Sequence, residues 1–371
     1  MENMDEVSYA FNAGTGSQGI AGTYFYLKDI FNQYDLEYVV VGLDYQTLMP
    51  EERVLKRDLI VLERIKSLLV KAEFILKAFE VEEYPYFLTT YQYKDKVWSI
   101  PGNVKKKISK EYREGIYEGE GATYENLGFT RETKVFGNYA GIYTAQPWTE
   151  EGMDSEKLGY LDKIVKLCEE NDVQLFLVST PLTISTVHST EGYAECVEYF
   201  KEYAEKNNIC YDNLNLLIDR EKILPDATMN CMEHVGLEGA DIVSQRYSEI
   251  LDLHIKDEPV DGYFYASIED MKTDMSDIVA CTLHTEKISD EGDRTIYGEC
   301  MKKDEVEVEY EFYVRKGDEV TTLQEYSSTA ECMLKCDVIS YPMTLGIKCR
   351  SVNNLNVVRI YEVDINERTW D

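Results

Sequence analysis

Over the first 256 residues, two kinds of apolar pattern take turns along the chain. Gly19–Tyr34 carries Tyr24, Leu27, Ile30 and Phe31 at helical spacing, and a short strand is predicted just before it, over Val7–Asn12. Leu36–Leu43 is almost continuously apolar, which predicts a parallel strand covered on both faces. Arg53–Phe79 reads as one helix with Leu55, Leu59, Leu62, Ile65 and Leu69 as its stripe. The rhythm resumes with a helix over Ser155–Asn171 and a buried strand over Val173–Ser179, stopped by Pro181. A helix over Thr190–Asn207, an extended run over Ile209–Leu217 and a last helix over Leu237–His254 follow. Alternation of buried strands with amphipathic helices predicts an α/β fold: a parallel sheet with helices on both faces.

Two stretches break this rhythm. Residues 81–150 hold the triplet Lys105-Lys106-Lys107 and nine of the 29 tyrosines (84, 86, 91, 93, 112, 117, 124, 139 and 143). An insertion of this kind either covers a site, offering tyrosines to a sugar or peptide, or packs its tyrosines on one another. Beyond Pro259 the period becomes two, as in Glu305–Val314 and Val357–Ile365, with a turn signal at Lys316-Gly317-Asp318. The expected organisation is an α/β domain over 1–256 and an all-β, sandwich-like accessory domain over 257–371. In the latter, Tyr310-Glu311-Phe312-Tyr313, Leu323 and Tyr326-Ser327 resemble the immunoglobulin-like accessory modules of bacterial surface proteins.

Charge narrows the partners. The 371 residues hold 38 Lys and Arg against 70 Asp and Glu, a net charge of −32 spread over both parts of the chain. Nucleic acid and anionic membrane surfaces both require basic patches, so neither is expected as a partner. No run of about 18 apolar residues is present to span a bilayer, and the acidic start Met1-Glu2-Asn3-Met4-Asp5-Glu6 is unlike a leader. Attachment to a membrane is expected only through an anchor upstream of this sequence. The nine cysteines are odd in number and form no CxxC pair, so reduced thiols are expected rather than a zinc site or disulfide framework. No cofactor is called for.

The chemistry concentrates in Asn12-Ala13-Gly14-Thr15-Gly16-Ser17-Gln18-Gly19, between the first predicted strand and helix. Gly14-x-Gly16-x-x-Gly19 matches the dinucleotide fingerprint, with Asp44 as the ribose acid. Alternatively Ser17 is a nucleophile at the carboxyl edge of the sheet, with Gly14, Thr15, Gly16 and Gln18 lining the site or supplying oxyanion amides. A serine nucleophile needs an imidazole, and the chain has four. His284 falls in the β region and His254 at a helix end, while His188 follows Thr180-Pro181. His234, just before the last α/β helix, is the best placed, since catalytic loops converge at that end of such sheets.

These motifs resemble the SGNH (GDSL-like) hydrolase superfamily, especially its divergent branch close to alginate and teichoic-acid O-acetylation proteins. The resemblance covers about residues 5–255. Asn12-Ala13-Gly14-Thr15-Gly16-Ser17 looks like the family's Asn-x-Gly-x-x-Ser turn, placing Ser17 as nucleophile. Cys231-Met232-Glu233-His234-Val235-Gly236-Leu237-Glu238-Gly239-Ala240 looks like its Asp-x-x-His-x-Asn-x-x-Gly-Ala motif, placing His234 as base. The strand ending at Pro181 and Tyr211-Asp212-Asn213-Leu214-Asn215 fit the same order. Cys231 stands where the family has the orienting Asp, and Gly236 where it has Asn. Glu233 and Asp226 are nearby acids that could substitute, and Gly42 and Asn103 are candidates for the family's remaining oxyanion positions. The resemblance implies a serine esterase or O-acetyltransferase acting on a small or polymeric acylated carbohydrate outside the cytoplasmic membrane, while the odd number of cysteines leaves cytoplasmic residence open. A binding protein that has lost catalysis, or a nucleotide-binding protein, are the alternatives.

Overall fold

The computed structural model describes residues 9–16, 18–87, 100–109, 118–119, 122–126, 129–132, 142, 145–218, 220–225, 228–231, 234–289 and 292–366. Contacts divide the chain into two compact units. One comprises residues 1–134, 148–179 and 195–212, the other 135–147, 180–194 and 213–371.

The first unit holds a three-stranded parallel sheet in the order β1 (Tyr38–Leu43), β5 (Gln174–Ser179), β6 (Cys210–Asn213). Helices α1 (Ile20–Phe31), α2 (Leu55–Arg64), α3 (Leu68–Ala78), α5 (Ser155–Glu170) and α7 (Tyr193–Asn207) accompany it, with α1 packed on α2, α3 and α5. Phe25, Phe74, Leu161, Ile164, Phe176 and Phe200 are fully buried and form the core. Asp154 caps α5, its carboxylate accepting from Glu156 N (2.8 Å) and Lys157 N (3.3 Å).

Three sequence expectations are corrected here. Residues 9–12 are not a strand, so the glycine-rich loop is not hung from a sheet edge through them. Strand β1 is covered on one face only. It is the outer strand among the described ones, and Val40 and Gly42 are exposed while Val39, Val41 and Leu43 are buried. Central β5 is the strand buried on both faces. The helix expected over Arg53–Phe79 is two, broken at Ile65–Ser67. The break has a cause outside its own sequence: buried Asp29 on α1 accepts from Lys66 N (2.9 Å) and Ser67 N (2.7 Å). Ser67 then caps α3, and the helical phase restarts, burying Val70 and Phe74 and leaving Leu69 84% exposed.

Within 81–150 the described elements are a 3-10 turn over Val81–Phe87, α4 (Ile100–Lys107) and a small antiparallel sheet of β2 (Glu118–Gly119), β3 (Ala122–Asn126) and β4 (Phe129–Glu132). Tyr84 packs on Phe87, which meets Phe79 edge-on. Tyr124 lies in β3, and Tyr91, Tyr93, Tyr112, Tyr117, Tyr139 and Tyr143 fall outside the described residues.

The second unit contains α6 (Ile184–Ser189), α8 (Arg220–Ile223), the two-stranded pair β7 (Met229–Cys231) and β8 (His234–Val235), and α9 (Leu237–Ile255). The region predicted as all-β from 257 opens instead with a 3-10 turn at Asp261–Tyr263 and α10 (Ile268–Asp274), capped by Ser267 Oγ accepting from Asp270 N. Ile268 and Met271 are buried, so this segment packs as a helix. Two antiparallel sheets follow. One has the order β13 (Glu331–Leu334), β10 (Arg294–Lys302), β9 (Ile278–Lys287). The other runs β12 (Glu319–Ser327), β11 (Val308–Lys316), β14 (Met343–Ser351), β15 (Val358–Ile365). Both contribute to one core, with Ile278, Ile296 and Leu334 from the first and Phe312, Leu345 and Ile347 from the second. The predicted turn joins β11 to β12, with Gly317 at φ 58°.

Candidate functional site

The glycine-rich loop is organised by its own polar groups. Asn12 Oδ1 accepts from Gly14 N (2.9 Å), and Gln18 N donates to the Thr15 carbonyl (3.1 Å). These bonds turn the chain into α1, and Gln18 Nε2 reaches Thr23 Oγ1 on its first turn (3.0 Å). The Gly14 and Gln18 amides are therefore engaged inside the loop, whereas Gly16 N has no acceptor among the described residues. Ser17 itself lies outside the described residues. On either side of it, Thr15 Oγ1 and Gln18 Oε1 are buried without a hydrogen-bond partner among the described residues.

The dinucleotide alternative needs two roles that Gly19 and Asp44 do not fill here. In that fingerprint the third glycine permits close packing of helix and strand. A Cβ on Gly19 would meet nothing within 4 Å among the described residues. Asp44 Oδ1 accepts from Gln46 N (2.8 Å) and Thr47 Oγ1 (3.1 Å), closing the turn after β1 rather than facing a ribose.

His234 opens β8, where it is exposed and is paired through the backbone with Cys231 of β7. The glycines after it have a physical reason. Gly236 N donates to the Thr228 carbonyl (2.7 Å), and a Cβ at Gly236 or Gly239 would come within 2.9 or 2.7 Å of that same oxygen. The backbone just before β7 thus lies against the start of α9, where a side chain at either glycine would force a shift. Glu233 and Asp226 lie outside the described residues, and Asn103 falls in α4. Gly42 sits in exposed register on β1.

The other histidines are accounted for differently. His284 stacks on Tyr297, its cross-strand neighbour (5.0 Å between centroids). His254 is in the last turn of α9. His188 is not in a loop, as its sequence context suggests, but in α6, where Nε2–H donates to Met275 Sδ (2.6 Å). Burial lowers its pKa to about 4, helped by the positive charge of Lys272 and opposed by Glu221.

Sequence reasoning did not anticipate the polar network after β5 and β6. Ser179 and Tyr211 hydroxyls bond to one another (2.8 Å). In the second unit, buried Asn215 accepts from Leu182 N (2.7 Å) and donates to the Thr180 carbonyl (3.0 Å) and Tyr193 hydroxyl (2.9 Å). Arg220 Nη2 adds a bond to the Leu182 carbonyl (2.7 Å). Asn215 has all its groups engaged, so it fixes the 180–183 loop rather than presenting a free donor. The signal available was the Asn-x-Asn following an apolar strand.

Among the described residues no group of three or more His, Cys, Asp or Glu is arranged to hold a metal ion. None of the described helices is long and apolar enough to cross a membrane. Compared with known proteins, the chain matches no family model, no curated protein and no solved structure.

Proposed function

We propose that this chain is an SGNH-like serine hydrolase or O-acyltransferase that acts on an acylated carbohydrate or envelope polymer outside the cytoplasmic membrane. The observation that carries the reading is the pair of buried polar atoms, Thr15 Oγ1 and Gln18 Oε1, that have no hydrogen-bond partner among the described residues and bracket position 17 in a loop that feeds α1. The parallel sheet and the packing of Gly236 and Gly239 on the Thr228 carbonyl are in keeping with it. In this reading Ser17 Oγ attacks the acyl carbonyl while His234 takes its proton, and the Gly16 and Ser17 amides face the developing oxyanion. The proton then passes to the departing sugar oxygen, and water or a second sugar hydroxyl accepts the acyl group from Ser17.

A second reading, a glycan-binding descendant without catalysis, is favoured by Cys231 in the place of the family's aspartate. A thiol cannot supply the carboxylate charge that holds the imidazolium, and losing that charge costs a serine triad about 10⁴ in turnover. A fluorophosphonate probe followed by peptide mass spectrometry separates the two. Labelling confined to Ser17, and absent from Ser17→Ala and His234→Ala, is expected for the hydrolase. Folded protein that takes no label supports the binding descendant.

A further inference from the structure

Helix α3 carries apolar side chains on two opposite faces. Val70 and Phe74 are buried, and the Phe74 ring lies 4.8 Å from that of Phe25 on α1. The other face holds Leu68, Leu69, Ala72, Ile75 and Leu76, which helical spacing gathers within about 120° of arc. Leu68, Leu69 and Leu76 are 80%, 84% and 72% exposed, and Ala72 is exposed between them. Exposed leucines are ordinary when scattered singly, whereas a contiguous stripe marks an interaction surface.

The stripe is held outward by fixed contacts on the helix. Asp29 of α1 accepts from the Lys66 and Ser67 amides, and Ser67 Oγ accepts from Val70 N, so the rotation of α3 is set at its first turn. Lys28 Nζ, also on α1, donates to Glu73 Oε2 (2.7 Å) and sets it again farther along. With Val70 and Phe74 committed to α1, the leucines cannot turn inward.

The order of the residues indicates what covers them. Read outward from Ala72, the face is nearly the same in both directions: Leu69 and Ile75 stand three positions away, Leu68 and Leu76 four. A twofold axis through Ala72, perpendicular to the helix, would set Leu68 against Leu76 of a second copy, Leu69 against Ile75, and Ala72 against its own equivalent. Such self-complementarity is what a twofold interface requires. Leu68, Ala72 and Leu76 also form an i±4 row, the ridge used in the commonest crossing of two packed helices, and a small residue at the crossing point lets the backbones come close. The net charge of −32 opposes self-association, but α3 and its cap bring Lys66, Lys71 and Lys77 against Glu73 alone, and Glu73 is paired with Lys28. The repulsion between acidic copies is therefore not reinforced at this face.

We propose that α3 is a homodimer contact, through which two copies of the chain pack antiparallel and cross at Ala72. One helix face is at the low end of the roughly 800 Å² per partner of a standard interface, so the dimer is expected to be reversible, with Kd in the micromolar range.

Sedimentation velocity of the full chain, from low micromolar to submillimolar concentration, should show this monomer–dimer equilibrium. Leu69→Glu and Leu76→Glu, both at exposed positions, should each weaken it by about tenfold or more with an unchanged circular dichroism spectrum. Ala72→Leu separates specific pairing from general stickiness: it adds apolar surface, yet should weaken the dimer by holding the helices apart. Ala72→Cys, mildly oxidised, should give a covalent dimer whose peptide map joins position 72 of the two copies. Wild-type protein that stays monomeric throughout, a dimer untouched by both glutamate variants, or one strengthened by Ala72→Leu would each overturn the assignment. So would a monomer that floats with phosphatidylcholine vesicles and loses that binding in Leu69→Glu, which would give the face to a bilayer surface.

Discussion

Glu221 and Arg359, 138 positions apart in sequence, form an ion pair at 2.9 Å between α8 and β15. The carboxylate's other oxygen accepts from Ser276 N (3.0 Å), and the guanidinium also donates to the Val279 carbonyl (3.1 Å). One partly buried pair therefore joins the segment before α9 to the sheets that follow it. The neighbouring backbone does the same, with Ile218 N donating to the Tyr263 carbonyl and Tyr265 N to the Leu216 carbonyl.

Removing one partner leaves the other charge half-buried, so Glu221→Ala is expected to destabilise the second unit by about 2 kcal/mol. Urea denaturation of Glu221→Ala, Arg359→Ala and the double variant measures it. The double variant should be less destabilised than the sum of the two singles; strict additivity would show that the pair contributes no coupling.

Asp29 sets the break between α2 and α3 by accepting from two backbone amides and from Gln33 Nε2 (2.8 Å). Asp29→Ala leaves those amides buried without an acceptor and should cost about 2–3 kcal/mol. Asp29→Asn keeps one acceptor oxygen and should recover part of the loss. Equal effects of the two substitutions, in the same unfolding assay, would rule out the amide-capping role.

His188 makes stability depend on pH in a defined window. Its folded-state value, about 4, lies below the ordinary 6.5, so the unfolded chain binds the proton first. Stability is therefore unaffected above about 6.5, falls as pH drops towards about 4, and loses about 3 kcal/mol through this group in all. Chemical denaturation across that range should show the slope, and His188→Gln should flatten it. Lys272 and Glu221 are the charged groups acting on the ring, and Lys272 holds the folded-state value down, so Lys272→Met should leave the onset in place and make the total loss smaller.

Gly239→Ala would place a methyl group 2.7 Å from the Thr228 carbonyl and 3.2 Å from Val235 Cβ. Backbone cannot yield cheaply, so a loss of about 1–3 kcal/mol is expected. Gly159→Ala, in α5 with nothing within 4 Å, is the matched control and should stabilise by about 0.5–1 kcal/mol. Thermal melts of the two variants should move in opposite directions.

Residues 155–170, 174–179 and 237–255 were legible because their periodicity and flanking signals are local. The β11–β12 turn was legible for the same reason: Lys316-Gly317-Asp318 carries the positive φ that a tight connection needs. Near the candidate residues, some local features could in principle be read from sequence. The Asn12–Gly14 bond is a two-residue relationship, and the glycines after His234 sit in a short recognisable string.

The rest depended on partners distant in the chain. Nothing between Arg53 and Phe79 announces a break, because the carboxylate that terminates α2 comes from Asp29 on another helix. The one-sided burial of β1 was decided by what packs on each of its faces, which an apolar run does not encode. His188 looked like a loop residue until Met275 was brought against it. Periodicity and capping are written residue by residue and determine which segments become helices and strands. Which buried polar group meets which partner is decided only when the whole chain closes, since the cost of an unmet buried group is exacted in three dimensions.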